Sequence, residues 1–300
     1  MAKGPAVVLC VVATTIVLIP FRAFTQQAQT PAEWKPLEAA LGRSGKVQPD
    51  GAFKFGMPRK DLKVTVGDVQ IKPGFALGAW AAFSSSGDDA MVMGDMVLTE
   101  DEVPPVIAKL QQEGIEVTAI HNHLQHEVPR VMYVHIEGHG GAAKLARSLH
   151  DVLALTGTPA ETPATTSTPK IELDTAAIDQ AMGRQGKDNG GIYQFAVPRS
   201  ETIRDRGMTI PPSIGVATAI NFQATGNGRA AITGDFVLLP NEVNQVISAL
   251  RESGIQVTAL HSHMLNDEPH LFFMHFWAND DAVKLARGLK AALDKTNSKR

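Results

Sequence analysis

The stretch "HNHLQHEVPRVMYVH" (121–135) returns, from position 261 onward, as "HSHMLNDEPHLFFMH" (261–275). Both stretches contain His-x-His, followed later by a third histidine in the same column. Those shared columns hold six of the ten histidines of the chain: His121, His123, His135, His261, His263 and His275. A pattern that appears twice at one offset indicates a duplicated structural unit.

The similarity continues outside the histidine stretches at the same offset. "GAFKFGMPR" (51–59) matches "GIYQFAVPR" (191–199), and "AAKLARSLHDVL" (142–153) matches "AVKLARGLKAAL" (282–293). Between the copies, "GTPAETPATTSTPK" is rich in Thr and Pro, which is typical of an extended linker. We therefore predict a first repeat domain at 31–156, a linker at 157–170 and a second repeat domain at 171–296.

Each unit combines strand patterns with two helices. In the first unit, Thr99 can cap a helix, Glu102 follows three residues later, and Gly114 follows the predicted end. The predicted order is strands at 52–57, 62–71, 78–85 and 89–98, a helix at 100–113, strands at 115–124 and 130–137, and a helix at 140–154. Because no regular βαβ alternation appears, we predict an α+β fold of two tandem homologous domains, each a mostly antiparallel sheet with two helices.

The last two strands of each unit place its histidines on one face. Side chains alternate along a strand, so His121 and His123 share a face, and pairing of His121 with His135 adds the third imidazole. The opposite face is then the predicted core side, with Thr118, Ile120, Met132, Val134 and Ile136, and in the second copy Leu260, Phe272, Met274 and Phe276. Three imidazoles suit a divalent metal, with Zn expected first and Fe, Mn or Cu as alternatives.

Acidic residues in the turn between these strands are candidate partners of the histidines. Glu127, Asp267 and Glu268 could each act as an additional ligand or orient one, and Glu127 and Glu268 are candidate catalytic bases. A solvated turn acid is the competing interpretation.

Two further repeated motifs have a structural and a functional interpretation. Gly94-Asp95 and Gly234-Asp235 could supply a ligand, but Gly-Asp also forms turns, and we expect a turn. Arg59 and Arg199 could bind an anionic group, but we expect surface salt bridges.

The first residues resemble a targeting segment. A single early Lys3, an apolar run and then polar residues predict a signal peptide at 1–28, and hence a periplasmic or extracellular protein; an N-terminal membrane anchor is the alternative. Removal of this segment would take away Cys10, the only cysteine, and so exclude disulfides and thiol chemistry. It would also remove Lys3 and Arg22, and the net charge of −3 would become −5. Because the chain has no basic cluster, we expect no nucleic-acid partner. We also expect no membrane span in the mature chain.

The repeated motifs "GDMVLTEDEV…GIEVTAIHNHL" and "GDFVLLPNEV…GIQVTALHSHM" resemble the LppY/LpqO family of exported bacterial proteins, also called a domain of unknown function (DUF1259). The resemblance covers nearly the whole mature chain and implies export.

Three functions fit the sequence. The first is a metal-dependent enzyme with a small-molecule substrate that the sequence does not identify. The second is a non-catalytic periplasmic protein that binds a metal or another ligand. The third is a structural module whose histidines pack.

Overall fold

A computed structural model describes residues 1, 4, 31–86, 89–160 and 170–299. Most of the predicted signal peptide and residues 161–169 of the predicted linker lie outside the described residues. The limits predicted for the two domains stay predictions. In the described part of the chain, no helix is both long enough and apolar enough to cross a membrane.

The first half of the chain forms one large antiparallel sheet, one small sheet and four helices within its described residues. Its strands are β1 (Lys46–Val47), β2 (Phe53–Pro58), β3 (Thr65–Val66), β4 (Val69–Gln70), β5 (Gly78–Ser86), β6 (Asp89–Thr99), β7 (Glu116–His121), β8 (Glu127–Val128) and β9 (Val131–Gly140). Its helices are α1 (Lys35–Leu41), α2 (Pro73–Ala76), α3 (Val103–Glu113) and α4 (Ala142–Leu153). The large sheet has the order β1-β2-β5-β6-β9-β7, and the small one has the order β4-β3-β8.

The second half repeats this arrangement. Its strands are β10 (Lys187–Asp188), β11 (Tyr193–Pro198), β12 (Arg204–Asp205), β13 (Met208–Thr209), β14 (Ala217–Gly226), β15 (Arg229–Leu238), β16 (Gln256–His261), β17 (Asp267–Glu268) and β18 (Phe272–Asp281). Its helices are α5 (Thr175–Met182), α6 (Val243–Glu252) and α7 (Ala282–Leu293). The sheets have the orders β10-β11-β14-β15-β18-β16 and β13-β12-β17.

The predicted α+β fold of two similar halves is confirmed, and two local predictions need correction. The helix predicted at 100–113 begins with a 3₁₀ turn at Glu100–Glu102 and ends before Gly114, whose φ of 72° gives the left-handed cap. The strand predicted at 62–71 is instead the short hairpin of β3 and β4, because Gly67, at a φ of 60°, turns the chain. The short helices α1, α2 and α5 were not predicted.

The strands of each large sheet have one face toward the helices. On β9, Val134 and Ile136 point to this side and join the core that includes Leu145 and Leu149 of α4. Gly138 lies on the same side, where an added Cβ would meet the Leu145 side chain at 3.1 Å. Ile120 and Leu260 were predicted to lie on the core side, but they are 48% and 47% exposed on the edge strands of the two sheets.

The other face of the sheets meets the other half of the chain. A separate apolar cluster joins the halves; it contains Ala52, Ala82, Met91 and Met93 from the first half and Ile203, Ile210, Val237, Met264, Leu271 and Phe273 from the second, among others. Each large sheet therefore has helices on one face and the opposite half on its other face. The odd-numbered residues of β9, which include His135, belong to this inner face.

The Gly-Asp motifs lie inside strands, so the expected turn is wrong. Gly94 and Asp95 lie within β6, and Gly234 and Asp235 lie within β15. A Cβ on Gly94 would lie 2.8 Å from the carbonyl oxygen of Trp80, and one on Gly234 would lie 2.0 Å from that of Ala219. Glycine is therefore required by the close approach of the neighbouring strand, and the following aspartate points to the inner face.

The two repeated arginines are buried, so the expected surface salt bridges are also corrected. Arg199 is 3% exposed. Its guanidinium donates to Glu242 at 2.7 Å, to Glu201 at 2.9 Å and to the carbonyl oxygen of Val237 at 2.7 Å. Arg59 makes the equivalent contacts in the first half. The Arg59 network links the end of β2 to the start of α3, and the Arg199 network links the end of β11 to the start of α6.

We predict that Arg199→Met lowers the free energy of unfolding by about 3–5 kcal/mol, because it leaves the buried Glu242 carboxylate without its cation. Urea unfolding followed by circular dichroism measures this change. Arg229→Met is the matched control, since Arg229 forms an exposed pair with Asp280 that we expect to contribute about 1 kcal/mol or less. Equal effects of the two substitutions would contradict a stabilising role of the buried network.

Candidate metal centre

The strand pair that carries the histidines differs in register from the sequence prediction. His121 lies opposite Tyr133, whereas His135 lies opposite Ala119, and an irregularity between Val117 and Ala119 shifts the pairing. The second copy has the same register, with His261 opposite Phe273. The predicted pairing of His121 with His135 is thus wrong by two residues. Because the error is an even number, the histidines still share a face.

The histidines of the two copies stack on one another across the interface between the halves. The pairs are His121 with His261 at 3.7 Å, His123 with His275 at 3.8 Å and His135 with His263 at 3.9 Å between ring centroids. The sequence predicted one three-imidazole site in each copy. The structure instead brings all six predicted histidines into one cluster, called here the six-histidine cluster.

An aromatic ring closes the stack on each side. Tyr133 lies against His123 at 3.3 Å between ring centroids, and Phe273 lies against His263 at 3.5 Å. The Tyr133 hydroxyl donates to the carbonyl oxygen of Ala76 at 2.8 Å, which fixes this ring. The imidazoles of His123 and His263 are therefore each packed between two rings.

The ligand atoms of the cluster converge in several overlapping groups. Within each group, one atom from each residue lies within 4.8 Å of the others. The groups are His121, His135 and His261; His121, His123 and His275; Asp95, His123 and His135; and Asp235, His261 and His263. Two of the four groups combine residues of both copies, and each of the other two adds an aspartate.

Several of these nitrogen atoms are buried without a hydrogen-bond partner among the described residues. They include both ring nitrogens of His121 and the Nε2 atoms of His135 and His275. His135 and His275 are each 3% exposed. The Nδ1 atom of His275 lies 2.7 Å from the carbonyl oxygen of Gly234, an arrangement that leaves Nε2 as the free lone pair when Nδ1 carries the proton. An unpartnered buried nitrogen of this kind is available to a cation.

The two aspartates contact the cluster from the central strands. Asp95 lies 3.4 Å from Nε2 of His123 and 3.9 Å from that of His135. Asp235 lies 3.1 Å from Nε2 of His263 and 4.0 Å from that of His275. The sequence could have indicated these two aspartates as partners of the histidines, because both Gly-Asp motifs repeat at the same offset as the histidines.

Burial and crowding favour the neutral form of three imidazoles, those of His121, His123 and His135. Burial, with His275 and His263 nearby, lowers the pKa of His121 to about 3. Burial and the neighbouring imidazoles also lower the pKa values of His123 and His135 far below the ordinary value. Neutral imidazole is the form that binds metals.

The two aspartates differ in their electrostatic surroundings. Burial and the charge of Asp235 raise the pKa of Asp95 well above its usual range. Burial alone would raise the pKa of Asp235, but His275 and His263 together lower it. The cluster therefore has one carboxylate that ionises readily and one that resists ionisation while the other is charged.

The predicted turn acids are separated from the convergent groups. Glu127 and Asp267 are equivalent and buried, and Glu268 is exposed. Glu127 accepts from Asn122 at 2.9 Å, and Asp267 accepts from the Leu271 amide at 2.7 Å. The two buried acids thus accept hydrogen bonds within the turn. Among the residues that the structure describes, none of the three acids belongs to the converging groups of ligand atoms.

The repeated sequence motifs do not indicate Lys54, a lysine near the cluster, because only the first copy has it. Lys54 Nζ lies 4.0 Å from the centre of the Trp80 ring and donates to the carbonyl oxygen of Ser213 at 3.1 Å. Burial lowers its pKa to about 8, although Asp95 and Asp50 raise it in part. The equivalent residue in the second copy is Gln194.

Comparisons with known proteins give a family and little else. A family model described as "Domain of Unknown Function (DUF1259)" matches residues 35–155 and 176–295. Among solved structures, EtuB from Clostridium kluyveri is similar at 9% identity, with 83% of this chain and 90% of that chain covered and a TM-score of 0.19. A likeness at that score does not indicate a shared fold. None of the curated proteins matches the chain.

We predict that His121→Leu leaves the stability of the metal-free protein unchanged or raises it. The ring nitrogens of His121 lose no hydrogen bond, and an apolar group of similar size removes the cost of burying them. Urea unfolding after chelation of metals measures this. Leu250→Ala, at a fully buried core position, is the control and should cost about 2–5 kcal/mol. A loss above about 2 kcal/mol for His121→Leu would show that the imidazole is needed for packing.

Proposed function

The chain belongs to the DUF1259 family in two tandem copies, as the repeated motifs predicted, and we propose that the copies together form one centre that binds divalent transition-metal ions. One observation carries this proposal. Ligand atoms of His121, His135 and His261 lie within 4.8 Å of one another, although the residues come from different copies. The repeat thus supplies both halves of a single centre.

The free energy of the metal-free cluster supports metal binding over packing. A buried polar atom that lacks a hydrogen bond costs about 1–3 kcal/mol. The unpartnered nitrogens of His121, His135 and His275 impose this cost within one small volume. A bound cation would compensate them together, whereas apolar side chains would fill the same space without the cost.

The ligand set favours zinc, with iron, manganese and copper as alternatives. Imidazole suits Zn, Cu, Fe and Ni, and carboxylate ligands extend the range to Mn. Six imidazoles with Asp95 and Asp235 provide enough ligands for one or two ions. Removal of residues 1–28 would leave a chain without cysteine. Such a chain would bind these ions through nitrogen and oxygen ligands only. We propose that this protein is exported, since those residues have the pattern of a signal peptide.

A non-catalytic metal-binding role is the function that the geometry supports best. His135, His263 and His275 are 3%, 4% and 3% exposed, and the rings of the two copies stack directly on each other. This arrangement supplies many protein ligands and offers a substrate little access. A protein that binds and retains a metal ion needs only these features.

A metal-dependent enzyme is the second candidate, and Lys54 is the observation that favours it. Its pKa of about 8 suits proton transfer near neutral pH, and Asp95 is among the charges that act on it. A bound divalent ion would supply Lewis-acid chemistry. Lys54 would then hold or release a proton at the edge of the cluster.

We predict that His121→Leu weakens the binding of all zinc in the six-histidine cluster by at least about tenfold, because His121 belongs to both groups that combine the copies. Zinc content and affinity are measured on untagged protein with a chromophoric competitor. His261→Leu is the variant at the equivalent position and should also weaken zinc binding, because His261 shares one of these groups with His121 and His135. His126→Asn is the control, because His126 is exposed and the second copy has Asn266 at that position.

Separate sites in the two copies would give a different outcome. One half of the zinc would then keep its wild-type affinity in His121→Leu, and the other half would keep it in His261→Leu. That result would contradict the shared centre. Absence of zinc, manganese, iron and copper binding in the wild-type protein would contradict the metal-binding function itself.

Cobalt substitution separates the two candidate functions. We predict that the visible spectrum of the Co²⁺-loaded protein stays unchanged when azide is added, because protein ligands surround the ion. A spectral shift on azide addition, seen only when Co²⁺ occupies the six-histidine cluster, would instead indicate an open coordination position on the ion. That result would support a metal-dependent enzyme.

A further inference from the structure

A second group of potential ligands lies between the halves, outside the six-histidine cluster. It consists of Glu137 and His139 on β9 and Asp205 on β12. One ligand atom from each lies within 4.8 Å of the others, and His139 Nε2 is 2.7 Å from Glu137 Oε1. Glu137 follows His135 by two residues, so it faces the same inner side of the sheet.

Both carboxylates are fully buried and incompletely paired. Glu137 and Asp205 are each 0% exposed. Within the described part of the chain, Glu137 Oε2 and both oxygens of Asp205 have no hydrogen-bond partner. The nearest cation to Asp205 is Arg206, whose Nε lies 3.7 Å away and whose guanidinium is hydrogen-bonded to Glu116 at 2.7 Å. Two buried carboxylates with three oxygens that lack donors are costly unless a cation or a proton joins them.

The fold does not require this group, because its three residues have no identical equivalents in the other copy. The second copy has Trp277 and Asn279 at the positions of Glu137 and His139. In the small sheet of the second half, Asp205 lies opposite Asp267. In the small sheet of the first half, the equivalent pair is Val66 opposite Glu127, so the first copy has the apolar Val66 at the position of Asp205. The three residues therefore meet only because the halves pack against each other.

We propose that Glu137, His139 and Asp205 bind a second divalent cation that links the two halves. One imidazole and two carboxylates form a harder ligand set than the six-histidine cluster, and Mn²⁺ suits it. The cation would neutralise the two acids and satisfy the three oxygens that lack donors. It would also join β9 of the first half to β12 of the second.

The competing explanation is a proton shared by the two acids. Burial, with Asp205 nearby, raises the pKa of Glu137 to about 7 even though His139 lowers it in part. A shared proton needs no ligand from His139. The imidazole therefore distinguishes the two explanations.

Titration of the full chain with Mn²⁺, followed by electron paramagnetic resonance of the free ion, tests the proposal. We expect His139→Asn, which introduces the residue of the second copy, and Asp205→Asn each to remove one equivalent of bound Mn²⁺. We also expect Mn²⁺ to raise the melting temperature of the wild type by more than that of either variant. Because His139 is partly exposed, the His139→Asn chain should fold even if Asp205→Asn does not.

His270→Asn is the control, since His270 contacts one buried acid, Asp267, at 2.9 Å and lacks a second carboxylate. It should keep the full Mn²⁺ equivalent. The same titration in His121→Leu separates this site from the six-histidine cluster, because the equivalent should persist there. Unchanged Mn²⁺ binding in His139→Asn would overturn the proposal and favour the shared proton.

Discussion

The close approach of the imidazoles across the two halves is the geometric constraint on which the proposed shared centre depends. His121 and His261 approach to 3.7 Å between ring centroids, and each comes from the edge strand of its own sheet. This approach requires the inner faces of both sheets to meet at the histidines. The cost of burying unpartnered nitrogens must then be compensated, and the shared cation that we propose would do this for residues of both copies together.

The duplication explains why the centre is symmetric and its surroundings are not. The histidines and the two aspartates repeat, and they lie at equivalent registers, with Asp95 opposite His135 and Asp235 opposite His275. Around them the copies have diverged, for example at Lys54, which is Gln194 in the second copy. The repeated residues thus define the common chemistry, and the unrepeated ones can add a function that only one side of the interface has.

The sequence predicted the repeat, the fold class and the face that carries the histidines, because offset and alternation are local properties. It failed where the answer depends on neighbouring strands. Gly94 resembles a turn residue, yet it is required by the carbonyl oxygen of Trp80 on the next strand. The strand irregularity between Val117 and Ala119 left no pattern in the sequence. The stacking of the copies, and the meeting of His139 with Asp205, follow from domain packing, which periodicity does not encode.

Anomalous diffraction from crystals of the zinc-loaded chain tests the shared centre most directly, because it locates the ion and its ligands together. A shared centre would give an anomalous peak at the zinc edge between the halves, at about 2.0–2.1 Å from imidazole nitrogens of both copies. A zinc ion bound only by residues of one copy, or the absence of a peak from the six-histidine cluster, would contradict the shared centre.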